Sequence, residues 1–482
     1  MGQRRWMLWG LITVLGCGGG SSMSYGGGVE ESSPVAYAGG EATETGYVGA
    51  DDMAPMGDSG GGHFEAEAAP PPASATRAAV GGADATGMAV PSTPTTVRTT
   101  TTTTVTVEVD TPPLIIAEPE PEIPQQQMAP VQLLTAASVG DHDRRGNYLH
   151  FLGRHPFEVR NIGLDMTRRV RFKVVDSQGQ PINDAQITVH DARQMAVQGR
   201  THADGRWDFF PGVLMPHANG SMVATVTANR VSAQVQVHVP SQGDGQDVTI
   251  RMAGQQQQAP RVLDLGFLID VTGSMEDELR YVNAEVASIV ERVRSEAPEV
   301  TVRVGAVFYR DRNDSVPLQR IAFTQDVSGF ARAMQQIRAS GGGDYPEDVN
   351  AGLQTAFNGL AWSEGNAARV LVVIADAPPK RYSTQFTYRE AMIAAAQRGI
   401  RILPVAASGA NREVEVLFRA MGTFTSTPYV YLTDDSGVGN PHQEADTDRV
   451  AVEYFNDLLT RLMISDVRGW GMHEPGSFGA AS

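Results

Sequence analysis

The chain has 482 residues, a formal net charge of −17 at pH 7, 51 glycines and a single cysteine. The charge disfavours nucleic acid and anionic lipid headgroups as partners, and one cysteine excludes an intrachain disulfide or a thiolate metal cluster. The length allows two or three domains, while the glycines and a hydrophobic fraction of 41% indicate that part of the chain does not fold.

Residues 1–17 have the pattern of an export signal. Two arginines precede an apolar run that ends at Leu15 and is too short to remain as a membrane span. Val-Leu-Gly-Cys then resembles a bacterial lipobox, in which Cys17 is acylated after cleavage. The resemblance implies a lipid-anchored protein of the bacterial cell envelope, and Gly18 favours the outer membrane. An ordinary secretory signal with an unrelated cysteine is the alternative.

Residues 18–135 are predicted to be a disordered, low-complexity tether. The segment is rich in Gly, Ser, Pro, Ala and acidic residues and lacks the periodicity of a helix or a strand. Its threonine run, Thr99 to Thr104, favours an extended stalk over an isolated strand, and the prolines that follow favour polyproline II.

Residues 136–165 are interpreted as a bridging segment. His142 lies between two aspartates, a pattern that suits either a metal ligand or a helix start with an acidic first turn. The helix start is favoured because no second cluster of ligands accompanies it. Tyr148, Phe151 and Leu152 fall at helical spacing, which predicts a short helix packed onto the next domain.

Residues 166–253 show the period-two alternation of strands and predict a small all-β sandwich. Asp-x-x-Gly-x-Pro-Ile-x-x-Ala at 176–185 and Thr-x-Ala-Asp-Gly-x-Trp at 201–207 resemble the carboxypeptidase regulatory-like, transthyretin-like domain. The resemblance implies a spacer or a binding surface. The histidines of this region are interpreted as ordinary strand residues: His190, His202, His217 and His238.

After a linker at 254–261, residues 262–465 alternate apolar strands with amphipathic helices, and residues 466–482 form a C-terminal tail. The alternation predicts an α/β domain with a doubly wound parallel sheet. In such sheets ligands bind outside the carboxyl ends of the strands. The chain as a whole is therefore predicted to be multidomain.

One strand end carries a concentration of oxygen ligands. The apolar run from Val262 to Ile269 ends in Asp270, and the hydroxyls of Thr272 and Ser274 follow within the same loop. Carboxylate and hydroxyl oxygens suit Mg²⁺, which retains water where the protein supplies few ligands. The sequence therefore predicts a divalent metal site with an exchangeable position.

Asp-x-Thr-Gly-Ser-Met after an apolar strand resembles the metal-ion-dependent adhesion site of the von Willebrand factor A (VWA) family, whose fold is Rossmann-like. Residues 340–348 and 370–379 resemble the second and third site loops, and Tyr-Arg-Asp at 309–311 resembles the subset with acidic second loops. The resemblance implies Mg²⁺, or Mn²⁺ or Ca²⁺, held by Asp270, Thr272, Ser274, Asp344, Glu347 and Asp376.

The second loop departs from the family pattern, because many members place a threonine hydroxyl where this chain offers Asp344 and Glu347. Either acid is a candidate ligand, and the additional negative charge would weaken the attraction for an anionic visitor. The resemblance implies that an acidic side chain of a protein partner fills the open metal position, in adhesion or in assembly of an envelope complex.

Three alternatives remain open. Asp270 and Asp376 could merely cap helices, the metal could only stabilise the fold of a structural envelope protein, or the site could belong to a metal-dependent hydrolase. The sequence contains no phosphate-loop or His-Glu-x-x-His motif, and its Gly-x-Ser-x-Gly string at 57–61 lies in the predicted tether and not in the strand-to-helix turn of a nucleophile elbow. A protein that is not an enzyme is therefore the favoured expectation.

Overall fold

The computed structural model describes residues 133–254, 259–343 and 345–474, which all belong to one compact unit, Leu114–Ser482. The predicted signal with Cys17, the tether up to residue 132 and Asp344 lie outside the described residues. In the described part of the chain, no helix combines the length and the apolar character that crossing a bilayer requires.

The elements are numbered in chain order. The strands are β1 (Thr135–Val139), β2 (Val170–Val175), β3 (Gln186–His190), β4 (Ala196–Arg200), β5 (Arg206–Phe209), β6 (Gly220–Ala228), β7 (Val231–Val239), β8 (Val248–Arg251), β9 (Val262–Asp270), β10 (Thr301–Tyr309), β11 (Leu318–Thr324), β12 (Ala368–Ala375), β13 (Arg401–Ala406), β14 (Tyr429–Leu432) and β15 (Glu453–Tyr454). The helices are α1 (Arg145–Arg154), α2 (Pro156–Ile162), α3 (Pro211–Leu214), α4 (Glu276–Glu296), α5 (Val327–Met334), α6 (Val349–Gly359), α7 (Tyr388–Arg398), α8 (Arg412–Phe424) and α9 (Phe455–Val467).

The larger sheet has the order β11-β10-β9-β12-β13-β14-β1-β15. Its five inner strands from β10 to β14 are parallel, whereas β11, β1 and β15 pair antiparallel with their neighbours. The prediction of an α/β domain with a parallel sheet is confirmed for the five inner strands, and the antiparallel strands at the edges make the whole sheet mixed. The antiparallel strands arise because β11 forms a hairpin with β10, and β1 enters from a distant part of the chain.

The central strand β9 is buried on both faces, which explains its nearly continuous apolar sequence. Leu265 and Phe267 face one hydrophobic core, which contains side chains of α4, α5 and α9. Leu268 faces the opposite core, which contains side chains of α6, α7 and α8. Helices on both faces therefore hold β9 in place and fix the position of the loop that follows Asp270.

The predicted bridging segment is part of the α/β domain. β1 begins at the predicted end of the tether and pairs with β14, with Ala137 opposite Tyr431. The predicted short helix forms as α1, but Tyr148 and Phe151 are fully buried in the core beneath α8. The helix therefore packs on the α/β domain, and Arg145 at its first turn also contacts the domain that follows, with Asp244 Oδ1 2.8 Å from its Nε.

The region between α2 and β9 contains two further sheets, with the orders β5-β2-β8 and β4-β3-β6-β7. Their apolar side chains form one core around Trp207, which is 1% exposed. The indole lies directly over Gly199, where an added Cβ would come within 2.0 Å of the ring. A residue without a side chain is therefore required at this position of β4.

The two parts of the unit are joined by buried polar contacts. Arg401 of β13 lies 3.0 Å from Asp204 in the turn before β5, and Arg369 of β12 lies 3.3 Å from Asp184 in the turn before β3. These ion pairs fix the smaller sheets directly to the larger domain.

The chain after the predicted domain end at residue 465 remains packed as far as residue 474. α9 continues to Val467, and Met472 is fully buried in the core beneath α4. Arg461 donates a hydrogen bond to the His473 carbonyl at 2.8 Å. The first part of the predicted tail therefore belongs to the folded unit.

Candidate metal centre

The carboxylates of Asp270 and Asp376 follow neighbouring strands at the same edge of the larger sheet. β9 ends at Asp270 and β12 ends at Ala375, and the strands pair in parallel with Ile269 opposite Ile374. Paired strands lie about 4.8 Å apart, so both carboxylates are within reach of a single ion. Both residues are buried.

The loop after β9 brings two hydroxyls to the same place. Thr272 donates to Asp270 Oδ1 from its backbone N–H at 2.9 Å and from its hydroxyl at 2.7 Å. Ser274 Oγ lies 3.1 Å from Thr272 Oγ1. Three of the predicted ligands, Asp270, Thr272 and Ser274, thus form one hydrogen-bonded group.

The second predicted loop lies directly against the first. The Gly273 N–H donates to the Gly341 carbonyl at 3.1 Å. Gly342 has a φ of +82°, and a Cβ at this position would lie 2.6 Å from Glu347 Oε1 and 3.1 Å from Thr272 Cβ. The close approach requires glycine, and it places the Glu347 carboxylate beside the first loop. The structure therefore brings Glu347 into the same group of oxygens.

Several oxygens of this group have unused hydrogen-bonding capacity. Among the described residues, Asp270 Oδ2 and Asp376 Oδ1 are buried and make no hydrogen bond of ordinary geometry, and the buried Tyr309 hydroxyl lies beside Asp270. Burial raises the pKa of Tyr309 well above its usual value, and the negative charges of Asp270, Asp376 and Glu347 raise it further. Three carboxylates therefore lie close enough to affect one hydroxyl. Buried oxygens without partners are energetically costly, and a cation among the three carboxylates would remove that cost.

The electrostatics of the site favour a cation. Burial raises the pKa of Asp376 to about 7, and repulsion from Asp270 contributes, although the Ser274 hydroxyl acts in the opposite direction. Burial also raises the pKa of Asp270, against the hydrogen bonds that it accepts from Thr272. Two carboxylates at this separation cannot both ionise readily unless a positive charge is present. Hard oxygen ligands and a shared negative charge fit Mg²⁺ or a similar divalent ion.

The Tyr-Arg-Asp segment supports the site in ways that the sequence did not reveal. The guanidinium of Arg310 donates to the Val271 carbonyl at 3.1 Å and so supports the backbone of the first loop. Asp311 turns to Lys380 and Tyr382, whose Nζ and hydroxyl lie 2.8 and 2.6 Å from its carboxylate. These contacts hold the loop after Asp376 in place. They join residues that are distant in sequence, so no local pattern predicts them.

Two predicted site residues have no described position. Asp344 and Cys17 lie outside the described residues. Of the two candidate acids in the second loop, the structure therefore gives the position of Glu347. The backbone of Glu347 is fixed on both sides, because its N–H donates to the Pro378 carbonyl at 3.1 Å and its carbonyl accepts from the Lys380 N–H at 2.7 Å.

Residues 264–438 match the family described as von Willebrand factor A domain. The chain is 29% identical over 130 residues to the alpha-protein kinase vwkA of Dictyostelium discoideum, and 32% identical over 122 residues to a putative ariadne-like RING finger protein, R811, of Acanthamoeba polyphaga mimivirus. These matches cover 27% and 25% of this chain but only 20% and 12% of the relatives, so the chain spans a small part of their length.

Among solved structures, the pilus adhesin SpaC from Lactobacillus rhamnosus GG aligns with 11% identity over 61% of this chain and 35% of the adhesin. Its TM-score of 0.30 is too low to support an argument about function. VWA domains typically mediate protein–protein interactions and adhesion, and they often bind a divalent metal ion. The match and the fold together show that residues 264–438 of this chain are a von Willebrand factor A domain.

Proposed function

We propose that this protein is a bacterial cell-envelope lipoprotein whose VWA domain binds a protein partner through a divalent metal ion. The observation that supports this most directly is the pair of buried carboxylate oxygens, Asp270 Oδ2 and Asp376 Oδ1, that make no hydrogen bond of ordinary geometry among the described residues. Binding would serve adhesion or the assembly of an envelope complex.

The oxygen group fits the proposed ion. Mg²⁺, or Mn²⁺ or Ca²⁺, would be held by Asp270, Thr272, Ser274, Asp376 and either Asp344 or Glu347. The bound ion supplies a positive charge that a carboxylate of the partner can neutralise. Backbone contacts hold the ligand oxygens in place before the ion binds. The pairing of β9 with β12 positions Asp270 and Asp376, and the hydrogen bond from Gly273 to Gly341 holds the second loop against the first.

An acidic partner also fits the surface beside the site. A cavity of about 340 Å³ borders the loop after Asp376, and its lining includes the cations Arg381 and Arg389 and one carboxylate, Glu413. The guanidinium of Arg389 donates to the Val213 carbonyl at 2.8 Å and that of Arg381 to the Asn161 carbonyl at 3.2 Å, so hydrogen bonds to neutral groups hold both cations. Positive charge next to the metal would steer an acidic surface toward it.

Replacing Asp270 with alanine is expected to abolish metal binding and, with it, recovery of the partner. Mg²⁺ titration should detect one site in the parent protein and none in Asp270→Ala. In a pulldown from envelope extract, the parent should recover a partner in Mg²⁺ and lose it in EDTA. Asp264→Asn is the matched control, because Asp264 is a buried aspartate at the opposite end of the same strand.

Equal recovery of the partner by the parent with Mg²⁺, the parent with EDTA and Asp270→Ala would contradict metal-mediated recognition. Metal binding without any metal-dependent partner would instead support the structural alternative, in which the ion only stabilises the fold. Metal-dependent turnover of a substrate by the parent, lost in Asp270→Ala, would identify a metal-dependent hydrolase instead.

The proposed anchor rests on the lipobox-like sequence that ends in Cys17. In a bacterial host, a palmitate analogue should label the parent protein, and the label should be absent from Cys17→Ser because the acylated thiol is removed. Detection of equal label in Cys17→Ser would reject the lipid anchor and leave an ordinary secretory signal. A lipid-anchored protein should also fractionate with the outer membrane.

The smaller sheets support a second part of the proposal. We infer that residues 166–253 are a carboxypeptidase regulatory-like β-sandwich, because their two sheets share one apolar core around Trp207. Its buried contacts with β12 and β13 would hold it as a rigid support beneath the VWA domain.

A further inference from the structure

Two histidines and an aspartate meet at a point remote from the oxygen site. His142 and Asp143 lie in the turn between β1 and α1, and His473 follows α9, 330 residues after Asp143. One ligand atom from each residue lies within 4.8 Å of the other two. The two imidazole rings are stacked, with centroids 5.7 Å apart and an angle of 24° between their planes.

The backbone contact of His473 determines which of its nitrogens faces the cluster. Nε2 lies 2.8 Å from the Trp470 carbonyl, an acceptor, so Nε2 carries the hydrogen. In the neutral ring Nδ1 then has a lone pair, and Nδ1 is the atom in contact with Asp143 Oδ2. Two electron-pair donors facing each other require either a proton or a metal ion between them. A ring held by a backbone carbonyl through its other nitrogen is the usual arrangement of a metal-bound histidine.

His142 approaches the same carboxylate oxygen. Its side chain is 1% exposed, and neither ring nitrogen makes a hydrogen bond of ordinary geometry within the described residues. Nε2 lies 3.2 Å from Asp143 Oδ2. Zinc ligands at about 2.0–2.2 Å in a tetrahedron lie about 3.3 Å from one another, so this separation matches one edge of a zinc site.

We propose that His142 Nε2, Asp143 Oδ2 and His473 Nδ1 bind a zinc ion that joins the turn after β1 to the segment after α9. Nitrogen and carboxylate ligands of this kind suit Zn²⁺, in contrast to the all-oxygen set around Asp270. The side chains of Asp143 and His473 are 25% and 14% exposed, so the fourth position is open to water or to a partner's side chain.

The surroundings hold this geometry in place. The guanidinium groups of Arg169 and Arg171 both donate to the His142 carbonyl, at 2.9 and 2.6 Å. Asp143 Oδ1 lies 4.0 Å from an Arg206 nitrogen, which leaves Oδ2 directed at the two imidazoles. The ion would therefore connect β1, the smaller sheets and the segment after α9.

The test is zinc titration of the full chain carrying Asp270→Ala, so that the oxygen site does not contribute and the outcome is independent of the proposed adhesion function. We expect one Zn²⁺ per chain by calorimetry. We expect His473→Gln and Asp143→Asn to lower the affinity at least about 100-fold, since each removes a direct ligand. His238→Ala is the matched control, because His238 is exposed on β7, and it should leave the affinity unchanged.

Asp143→Asn keeps the size and hydrogen-bonding ability of the side chain, so it removes the ligand without removing the contact. Thermal unfolding in EDTA would show whether the metal-free variant is folded. Zn²⁺ should also raise the unfolding temperature of the Asp270→Ala protein, and this rise should disappear in Asp143→Asn. Absence of stoichiometric zinc binding, or equal binding by His473→Gln, would overturn the proposal and leave a hydrogen-bonded cluster only.

Discussion

Replacing Arg401 with methionine is expected to lower the free energy of unfolding by about 3–5 kcal/mol, because it leaves two buried carboxylates without their cation. Arg401 is fully buried. Its guanidinium lies 2.8 Å from Asp466 Oδ1 on α9 and 3.0 Å from Asp204 Oδ1 in the turn before β5. It also donates to the Ser426 carbonyl at 2.8 Å. Chemical denaturation at neutral pH would measure the loss.

The matched control is Arg398→Met, which removes an arginine three residues earlier. Arg398 is partly exposed and donates to the Phe357 carbonyl, so its loss should cost about 1 kcal/mol or less. Adding Asp204→Asn and Asp466→Asn to Arg401→Met should recover most of the lost stability, because no uncompensated charge then remains. If the triple variant is as unstable as Arg401→Met alone, the loss reflects packing and not charge.

The Arg401 contacts also bear on how the unit unfolds. One guanidinium connects β13, α9 and the smaller sheets, and the ion pair between Arg369 and Asp184 connects the same two parts. We therefore expect the smaller sheets and the VWA domain to unfold together in the parent protein. A protein in which both connections are broken, by Arg401→Met together with Arg369→Met, should show two separate unfolding transitions.

The parts of this fold that sequence reasoning recovered are those with local signals. β9 and β12 are buried parallel strands, so each reads as a continuous apolar run, and the Asp-x-Thr-Gly-Ser loop follows directly. β1 escaped prediction because its five residues, Thr-Ala-Ala-Ser-Val, are small and weakly patterned. Its strand partner β14 lies far along the chain, and a pairing of this kind leaves no trace in the local sequence.

The site shows the same division. Asp270, Thr272 and Ser274 are adjacent in sequence, and the position of Asp376 follows from the order of parallel strands. The sequence did not reveal that Asp311 pairs with Lys380, or that His473 joins His142. Each of these contacts depends on tertiary packing between distant loops. A lone histidine between aspartates is interpretable only once the C-terminal segment is placed beside it.

The affinity of the oxygen site for Mg²⁺ is expected to fall steeply as the pH is lowered below about 7. Burial and the neighbouring Asp270 charge raise the pKa of Asp376 to about 7, and a ligand carboxylate must lose its proton before it binds metal. One such group predicts a loss of roughly 25-fold between about pH 7.5 and about pH 5.5. The raised pKa of Asp270 would steepen the dependence. Calorimetric titration with Mg²⁺ across this range measures it.

Asp376→Asn should bind Mg²⁺ more weakly and show a flatter pH profile, because the titrating ligand is gone. An affinity for Mg²⁺ that stays constant from about pH 5.5 to about pH 7.5 in the parent protein would contradict the prediction. Mg²⁺ is a better probe than Zn²⁺ here, since it avoids imidazole ligands and does not report on the titration of histidines.

The same shift determines how metal-free protein responds to pH. The pKa of Asp376 is raised from 3.8 in the unfolded chain to about 7 in the folded one, so the folded state binds its proton more tightly. The stability that this group contributes is therefore fully present below about pH 4 and is lost as the pH rises to about 7. Mg²⁺ replaces the proton as the positive charge between the carboxylates. It should consequently raise the unfolding temperature more at pH 8 than at pH 5, and this difference should be reduced in Asp376→Asn.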